Sequence, residues 1–213
     1  MVSSNFKVLI SAGPTREYFD PVRFLSNPST GKMGYAIAEA AIERGFKVDL
    51  VSGPVSLKCP LGVNRISVET GEQMLNAVDA LFPKCDLFIS VAAVMDFRPI
   101  SYENTKLKKD GNSIKVELSP TIDILKTMSD KKESQILVGF SAETNDLEEN
   151  AKKKLFSKKL DWIVANLVGG SSGGFGSEMN EVVLLGCRGE RVPVSSNFKK
   201  EVAKKILEKV IVS

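Results

Sequence analysis

Short apolar runs alternate with amphipathic stretches along nearly the whole chain. "FKVLISAG" (6–13) is an apolar run closed by Gly-Pro, which predicts a buried strand. "GKMGYAIAEAAIERG" (31–45) sets Ile37, Ala41 and Ile42 on one helical face and stops at Gly45. "FKVDLVSGP" (46–54) and "VNRISVET" (63–70) predict strands, and "GEQMLNAVDALFP" (71–83) a helix. "CDLFISVAAV" (85–94) predicts a central, fully buried strand. "IKVELSPTIDILKTM" (114–128) reads as a strand then a helix, and "QILVGFSAE" (135–143) as another buried strand. "LEENAKKKLFSKKL" (147–160) predicts a helix with Leu155 and Phe156 on its apolar side. "DWIVANLV" (161–168) predicts a strand, "EVVLLGCRGERVPV" (181–194) a hairpin around Arg-Gly, and "FKKEVAKKILEKVI" (198–211) a closing helix.

Strands alternating with helices predict a Rossmann-like three-layer α/β/α sandwich, and 1–213 reads as a single domain. Two segments depart from the alternation. The loop from Gly13 to about Thr30 is long and follows the first strand, where doubly wound folds place ligands. "DFRPISYENTKLKKDGNSIKVEL" (96–118) is polar and basic, and predicts an arm projecting from the sheet, with Asp110-Gly111 as a hairpin turn. The glycine- and serine-rich stretch 169–176 reads as a lid or a flexible loop.

Composition narrows the chemistry. The 213 residues are 43% hydrophobic, enough for a sizeable core, and no apolar run approaches the ~20 residues of a membrane span. "MVSSNFKVLI" runs into the first strand with no signal-peptide pattern, so a cytoplasmic location without membrane attachment is expected. Cys59, Cys85 and Cys187 are odd in number and far apart, suggesting neither a disulfide framework nor a metal knot. A net charge of +3 is too mild to indicate nucleic acid. The chain has 0 histidines, which removes His-based triads, general bases and metal sites together. A catalyst built from it works with Lys, Arg, Asn, carboxylates or backbone amides, and so by positioning and charge stabilisation.

"LSNPSTGKMG" (25–34) carries the candidate phosphate chemistry. A P-loop needs glycine where this chain has Ser26 and Ser or Thr where it has Met33. The dinucleotide fingerprint fails too, because only Gly31-x-x-Gly34 is present. Gly31 and Gly34 nevertheless open a predicted helix, whose N-terminal amides favour phosphate. For Asn27-Pro28-Ser29-Thr30, turn and N-cap chemistry is the competing explanation.

Together, "SAGPTREYFDPVRFLSNPSTGKMG", "VAAVMDFRP", "KLKK", "VGFSAETND" and "DWIVAN" resemble the phosphopantothenoylcysteine synthetases, the phosphopantothenate–cysteine ligases of coenzyme A biosynthesis. The resemblance runs from about Lys7 to the closing helix. It implies a two-step reaction. The carboxylate of 4′-phosphopantothenate attacks the α-phosphate of a nucleoside triphosphate, giving an acyl-nucleotidylate and pyrophosphate. The amine of L-cysteine then displaces the monophosphate. "KMG" and "KLKK" resemble the bacterial branch, which implies CTP rather than the ATP of the eukaryotic one. Also implied are Mg2+ carried by the triphosphate, a homodimer, and a flavin-dependent decarboxylase, fused or separate, for the following step.

By the same resemblance, Asn27 is the residue needed around the acyl-nucleotidylate. Its amide offers two donors and one acceptor, able to hold substrate or stabilise developing negative charge. Lys106, opening the "KLKK" run, is implied in turnover as a mobile ammonium able to swing over phosphates. Ser90, Val91, Ala92 and Ala93 are implied to line the base, with Asp96 against the nucleotide through ribose, base or metal. Ile122, Asp123, Ile124 and Leu125 correspond to a nucleotide-facing turn, although Ile122 stands where the family has proline. Asp123 as a helix N-cap and Ala92 and Ala93 as core packing are the structural alternatives. Phe140 is placed to stack on a base or to pack in the core. Lys154 and Lys158, four apart and so on one helix face, match family lysines that contact the nucleotide, whereas Lys152, Lys153 and Lys159 read as a solvated face.

Two other function classes stay open. Tyr102-x-x-x-Lys106 matches the pair of short-chain dehydrogenases, but that pair needs a helix and these residues lie on an arm. A non-enzymatic nucleotide-binding module would keep the glycine loop and Asp96 but have no use for Asn27 or Lys106.

Overall fold

The structure, a computed structural model, describes residues 5–143, 146–167 and 177–211. Its centre is an eight-stranded mixed sheet. β1 (Lys7–Ala12) leads into a small ribbon of β2 (Arg16–Tyr18) and β3 (Phe24–Ser26), then α1 (Lys32–Glu43) and β4 (Lys47–Ser52). β5 (Asn64–Ser67), α2 (Gly71–Leu81) and β6 (Leu87–Ser90) follow. The arm departs through β7 (Phe97–Pro99) and returns through β8 (Leu118–Pro120). Next come α3 (Ile124–Asp130), β9 (Ile136–Glu143), α4 (Leu147–Ser157), β10 (Trp162–Leu167), β11 (Met179–Gly186), β12 (Arg191–Phe198) and α5 (Lys199–Ile211).

The strand order is β12-β11-β10-β9-β6-β1-β4-β5, parallel from β5 to β10 and antiparallel through β11 and β12. Successive side chains on a strand point to opposite faces, and here both faces are apolar. Val8, Ile10 and Ala12 pack under α1 and α5, while Leu9 packs with α2, α3 and α4 on the other side. The predicted three-layer α/β/α sandwich is the observed one.

Local signals account for the helix limits. Gly31 begins α1 with φ 76°, and Gly45 ends it with φ 81°, the left-handed region that glycine enters without strain. Thr70 and Gln73 form a capping box on α2, with Gln73 N donating to Thr70 Oγ1 at 3.1 Å.

Several expectations are corrected. The strand expected over 85–94 stops at Ser90, where pairing with β9 ends and the chain keeps bonds only to the end of β1 and the residues after it. The strand expected over 63–70 is only Asn64–Ser67 at the sheet edge. The long loop 13–30 contains the β2–β3 ribbon, which apolar periodicity does not reveal in three-residue strands. Asp110 does make a turn, accepting from Asn112 N at 3.0 Å, but the arm's strands pair only at its root, Phe97–Pro99 with Leu118–Pro120. Phe156, expected on the apolar side of α4, is 63% exposed, whereas Leu155 is buried. The stretch 169–176, expected as a lid or flexible loop, lies outside the described residues.

Candidate active site

β1, β6, β9 and β10 end along one edge of the sheet, and a cleft of about 600 Å³ opens there. It sits at the switch point, since β4 lies on one side of β1 and β6 on the other. In open α/β sheets this is the crevice that takes ligands.

The loop after β6 forms the floor. Val91 N donates to Ser11 O, Ala93 N to Gly13 O and Met95 N to Thr15 Oγ1, at 3.1, 2.9 and 2.9 Å. On its far side Thr121 Oγ1 donates to Met95 O at 2.6 Å. Ser90, Val91, Ala92, Ala93 and Asp96 therefore line the cleft on a backbone with little freedom. Asp96 itself is exposed, and its carboxylate has no ion-pair or hydrogen-bond partner among the described residues.

β3 delivers Asn27 to this floor. Its Nδ2 donates to the carbonyls of Ala93 (3.2 Å) and Val94 (3.1 Å). Both amide hydrogens are thus committed, leaving Oδ1 as the group available to the cleft. Of the two uses expected for Asn27, this arrangement suits holding a donor and does not suit stabilising negative charge.

The start of α1 forms one wall. No side chain caps this helix, and its first backbone N–H groups have no intrahelical partners. Gly31 and Gly34 both line the cleft. A Cβ at Gly34 would lie 2.5 Å from Ala12 Cβ, so only glycine lets the helix begin this close to the end of β1.

The opposite wall comes from α3, α4 and β9. Ile122, Asp123, Ile124, Leu125, Phe140, Lys154 and Lys158 all line it. Asp123 caps α3, its Oδ1 accepting from Lys126 N at 3.0 Å, and pairs with Lys158 at 2.5 Å. Burial would raise its carboxyl, but the bonds from Lys158 and Lys126 outweigh this and hold it below the usual carboxylate range. Capping and facing the cleft are therefore not alternatives for Asp123. Lys154 Nζ lies 3.4 Å from Ser141 Oγ, while Lys152, Lys153 and Lys159 point to solvent as expected.

Lys106 alone among the expected site residues does not line the cleft. It is exposed on the arm, and its neighbour Leu107 is tied to the β2–β3 turn. Asp20, fully buried, accepts from Leu107 N at 3.2 Å, and Arg23 Nη2 donates to Leu107 O at 2.9 Å. Burial alone would raise the Asp20 carboxyl. The backbone N–H groups of Val22, Arg23 and Leu107, with the Arg23 guanidinium, outweigh it and lower its pKa to about 2.

Sequence reading missed Gly13, Lys32, Asn166, Asn180 and Lys199, which also line the cleft. Two signals were present. Lys199 stands three and four residues before Val202 and Ala203, on the buried face of α5, where a lysine is out of place. Asn166 is a polar residue near the end of an otherwise apolar strand, one before Leu167. Asn180 lies between the glycine-rich stretch and the hairpin predicted over 181–194, so no pattern marked it.

The sequence matches the family described as DNA/pantothenate metabolism flavoprotein C-terminal domain over residues 3–212. It is 47% identical over 204 residues to the coenzyme A biosynthesis bifunctional protein CoaBC of Bacillus subtilis, covering 95% of this chain and 50% of that protein. The corresponding protein of Escherichia coli K12 is 43% identical over 192 residues, with coverages of 88% and 47%. The chain thus spans about half the length of the curated relatives it matches. The crystal structure of the C-terminal domain of a CoaBC superposes with a TM-score of 0.85 at 41% identity, covering 99% of this chain and 97% of that one. The DNA/pantothenate metabolism flavoprotein from Streptococcus pneumoniae, at 20% identity and 97% and 99% coverage, has the same fold with a TM-score of 0.85.

Proposed function

This chain belongs to the DNA/pantothenate metabolism flavoprotein C-terminal domain family, and on that premise we propose that it ligates 4′-phosphopantothenate to L-cysteine at the expense of CTP. The observation that carries the reading is the cleft. Segments distant in sequence converge there on one strand-end floor, with an uncapped helix N-terminus on one wall and Lys154 and Lys158 on the other. Two anionic substrates need cationic or N–H groups on both sides before a carboxylate can approach a phosphate.

In the first step the phosphopantothenate carboxylate attacks the α-phosphorus of CTP and pyrophosphate leaves. Backbone amides of α1 and the lysines of α4 neutralise the charge that gathers on phosphate oxygens. In the second step the cysteine amine attacks the acyl carbon and CMP leaves. Asn27 Oδ1 is suited to accept an N–H from that amine, aligning its lone pair while Ala93 and Val94 fix the amide plane. Phe140 and the backbone at Ser90 to Ala93 offer the base a partly apolar slot.

Mg2+ fits this site as an ion brought by the triphosphate. Among the described residues no three acidic, Cys or His side chains cluster, and Asp96 is the hard oxygen donor in the cleft that no ion pair occupies. When bound, Mg2+ supplies charge neutralisation of the triphosphate.

The arm is assigned to partner contact. Ile100, Tyr102 and Ile114 are 63%, 53% and 56% exposed along it, more apolar surface than a solvated arm needs. A homodimer that covers the arm accommodates this, and it would bring Lys106 near nucleotide. A flavin-dependent decarboxylase, fused or separate, is the proposed supplier of the next step. No described helix is long and apolar enough to cross a membrane.

The test is pyrophosphate release with phosphopantothenate, Mg2+ and CTP or ATP, with and without L-cysteine. Cysteine-dependent formation of CMP is expected. An ATP preference would replace the nucleotide and keep the ligase. Folded protein that binds CTP without turnover would instead be a nucleotide-binding module. Lys106→Gln is expected to abolish turnover while leaving CTP binding in place.

A further inference from the structure

The end of the cleft between α1 and α5 holds a lysine that the structure does not otherwise use. Lys199 is the first residue of α5, directly after β12, and only 9% of it is exposed. Its backbone N–H donates to Glu178 O at 3.0 Å, but its ammonium makes no hydrogen bond or ion pair with any described residue. The charge of Glu178 acts on Lys199, but its carboxylate is bonded to Lys32. Burial lowers the Lys199 pKa, and the charge of Lys32 lowers it further. A buried ammonium that no described carboxylate bonds directly is costly, which marks Lys199 as placed for more than packing.

A second buried group at the same end points the same way. Asn180 is 2% exposed, and among the described residues its Nδ2 reaches only Met33 Sδ at 3.8 Å, a weak contact. Its Oδ1 has no donor among the described residues. Both residues line the cleft beside the uncapped start of α1, whose N–H groups also need acceptors. A donor without an acceptor, an acceptor without a donor and a helix N-terminus are all answered by one chemical group. A hydrated phosphate accepts from the ammonium and the amides, while its bound water donates to Asn180.

We infer that Lys199, with Asn180 beside it, forms a subsite for a terminal phosphate group at the α1–α5 end of the cleft. This rests on the reading that the cleft takes a nucleoside triphosphate and a phosphomonoester. Two sources supply such a group: the β,γ-phosphates of the nucleotide, which leave as pyrophosphate, and the phosphate of phosphopantothenate. The opposite end, with Lys154 and Lys158, is then free for the other substrate.

The test is equilibrium binding to wild type, Lys199→Met and Lys199→Arg of CTP, CMP, inorganic pyrophosphate, phosphopantothenate and pantothenate. Lys199→Met is expected to weaken one phosphate-bearing set by about 10- to 100-fold, the loss of one charge-assisted hydrogen bond. The partner ligand lacking that phosphate should change less than about twofold, and Lys199→Arg should recover most of the loss. Loss confined to CTP and pyrophosphate assigns the subsite to the leaving group. Loss confined to phosphopantothenate assigns it to that substrate. Because methionine fills the same space without a charge, Lys199→Met should also melt at or above the wild-type temperature without ligand. Equal binding of all five ligands by Lys199→Met, with wild type binding CTP, overturns the inference and leaves the ligase reading intact. Marked destabilisation by Lys199→Met would make the lysine structural and overturn it equally. Wild type that binds neither CTP nor phosphopantothenate sinks both.

Discussion

Replacing Gly34 by alanine sets two effects of known sign against each other. Alanine is favoured over glycine inside a helix by about 1 kcal/mol, so an unconstrained Gly34→Ala change would stabilise α1. Here the new methyl would sit 2.5 Å from Ala12 Cβ and 3.3 Å from Ala12 Cα. Carbon atoms rest at roughly 3.5–4.0 Å, so the helix start must retreat from β1 by about 1 Å. Neither partner can rotate away, because both are Cβ atoms fixed by backbone. Overpacking of this kind costs about 1–3 kcal/mol, which cancels or exceeds the propensity gain. The larger consequence lies in the cleft. The amides of Lys32 and Met33 ride on the same turn, and an ångström is enough to weaken hydrogen bonds to phosphate. The expected outcome is a loss of about 0–2 kcal/mol by denaturant titration together with at least about a tenfold loss in CTP affinity. Ala12→Gly in the same chain removes the closest contact and leaves 3.3 Å to Cα, so the double variant should recover part of the affinity. A Gly34→Ala protein more stable than wild type by about 1 kcal/mol, with unchanged CTP binding, would refute the reasoning.

Asp20, held at about 2 against an unfolded value of 3.8, contributes stability that is present above pH 4 and lost as pH falls toward 2. Asp20→Asn should be less stable at pH 7, show a flatter acid limb in denaturation curves, and free Leu107 enough to speed tryptic cleavage at Lys106, Lys108 and Lys109. An unaltered cleavage rate would mean the arm is held elsewhere. At Asp123, asparagine keeps a capping oxygen but loses the ion pair with Lys158, so Asp123→Asn should cost under about 1 kcal/mol and Asp123→Ala about 1–2. Equal losses in thermal denaturation would show that the cap contributes nothing. Burial, with the charge of Asp86, pushes the Cys85 thiol up to about 12, whereas Cys187 is exposed. Alkylation at pH 8 followed by peptide mapping should label Cys187 first and Cys85 only after unfolding, and comparable early labelling of both would contradict the packing around Cys85.

What the sequence determined by itself was the layered fold and most of one site. Apolar runs of strand length between amphipathic stretches leave little choice but a sheet covered on both faces, and glycines at 31 and 45 mark where α1 must begin and end. Asn27, Gly31 and Val91 to Ala93 could be named because each sits in a contiguous, unusual motif, and Lys158 because it stands four residues from Lys154 on one helix face. Elements without periodicity escaped: three-residue strands are too short to show it, and the backbone at 91–95 parts from β9 while bonding residues eighty positions away. Whether a nameable residue reaches the cleft was equally a tertiary matter. Lys106 stands clear of it because Asp20 and Arg23 hold its neighbour, and Asn27 offers only its oxygen because two distant carbonyls take its hydrogens. Lys199 and Asn180 enter from the last hairpin and helix, brought there by the order of strands across the sheet. Local pattern reports which face of an element is buried; which distant groups meet at a strand end is decided by topology.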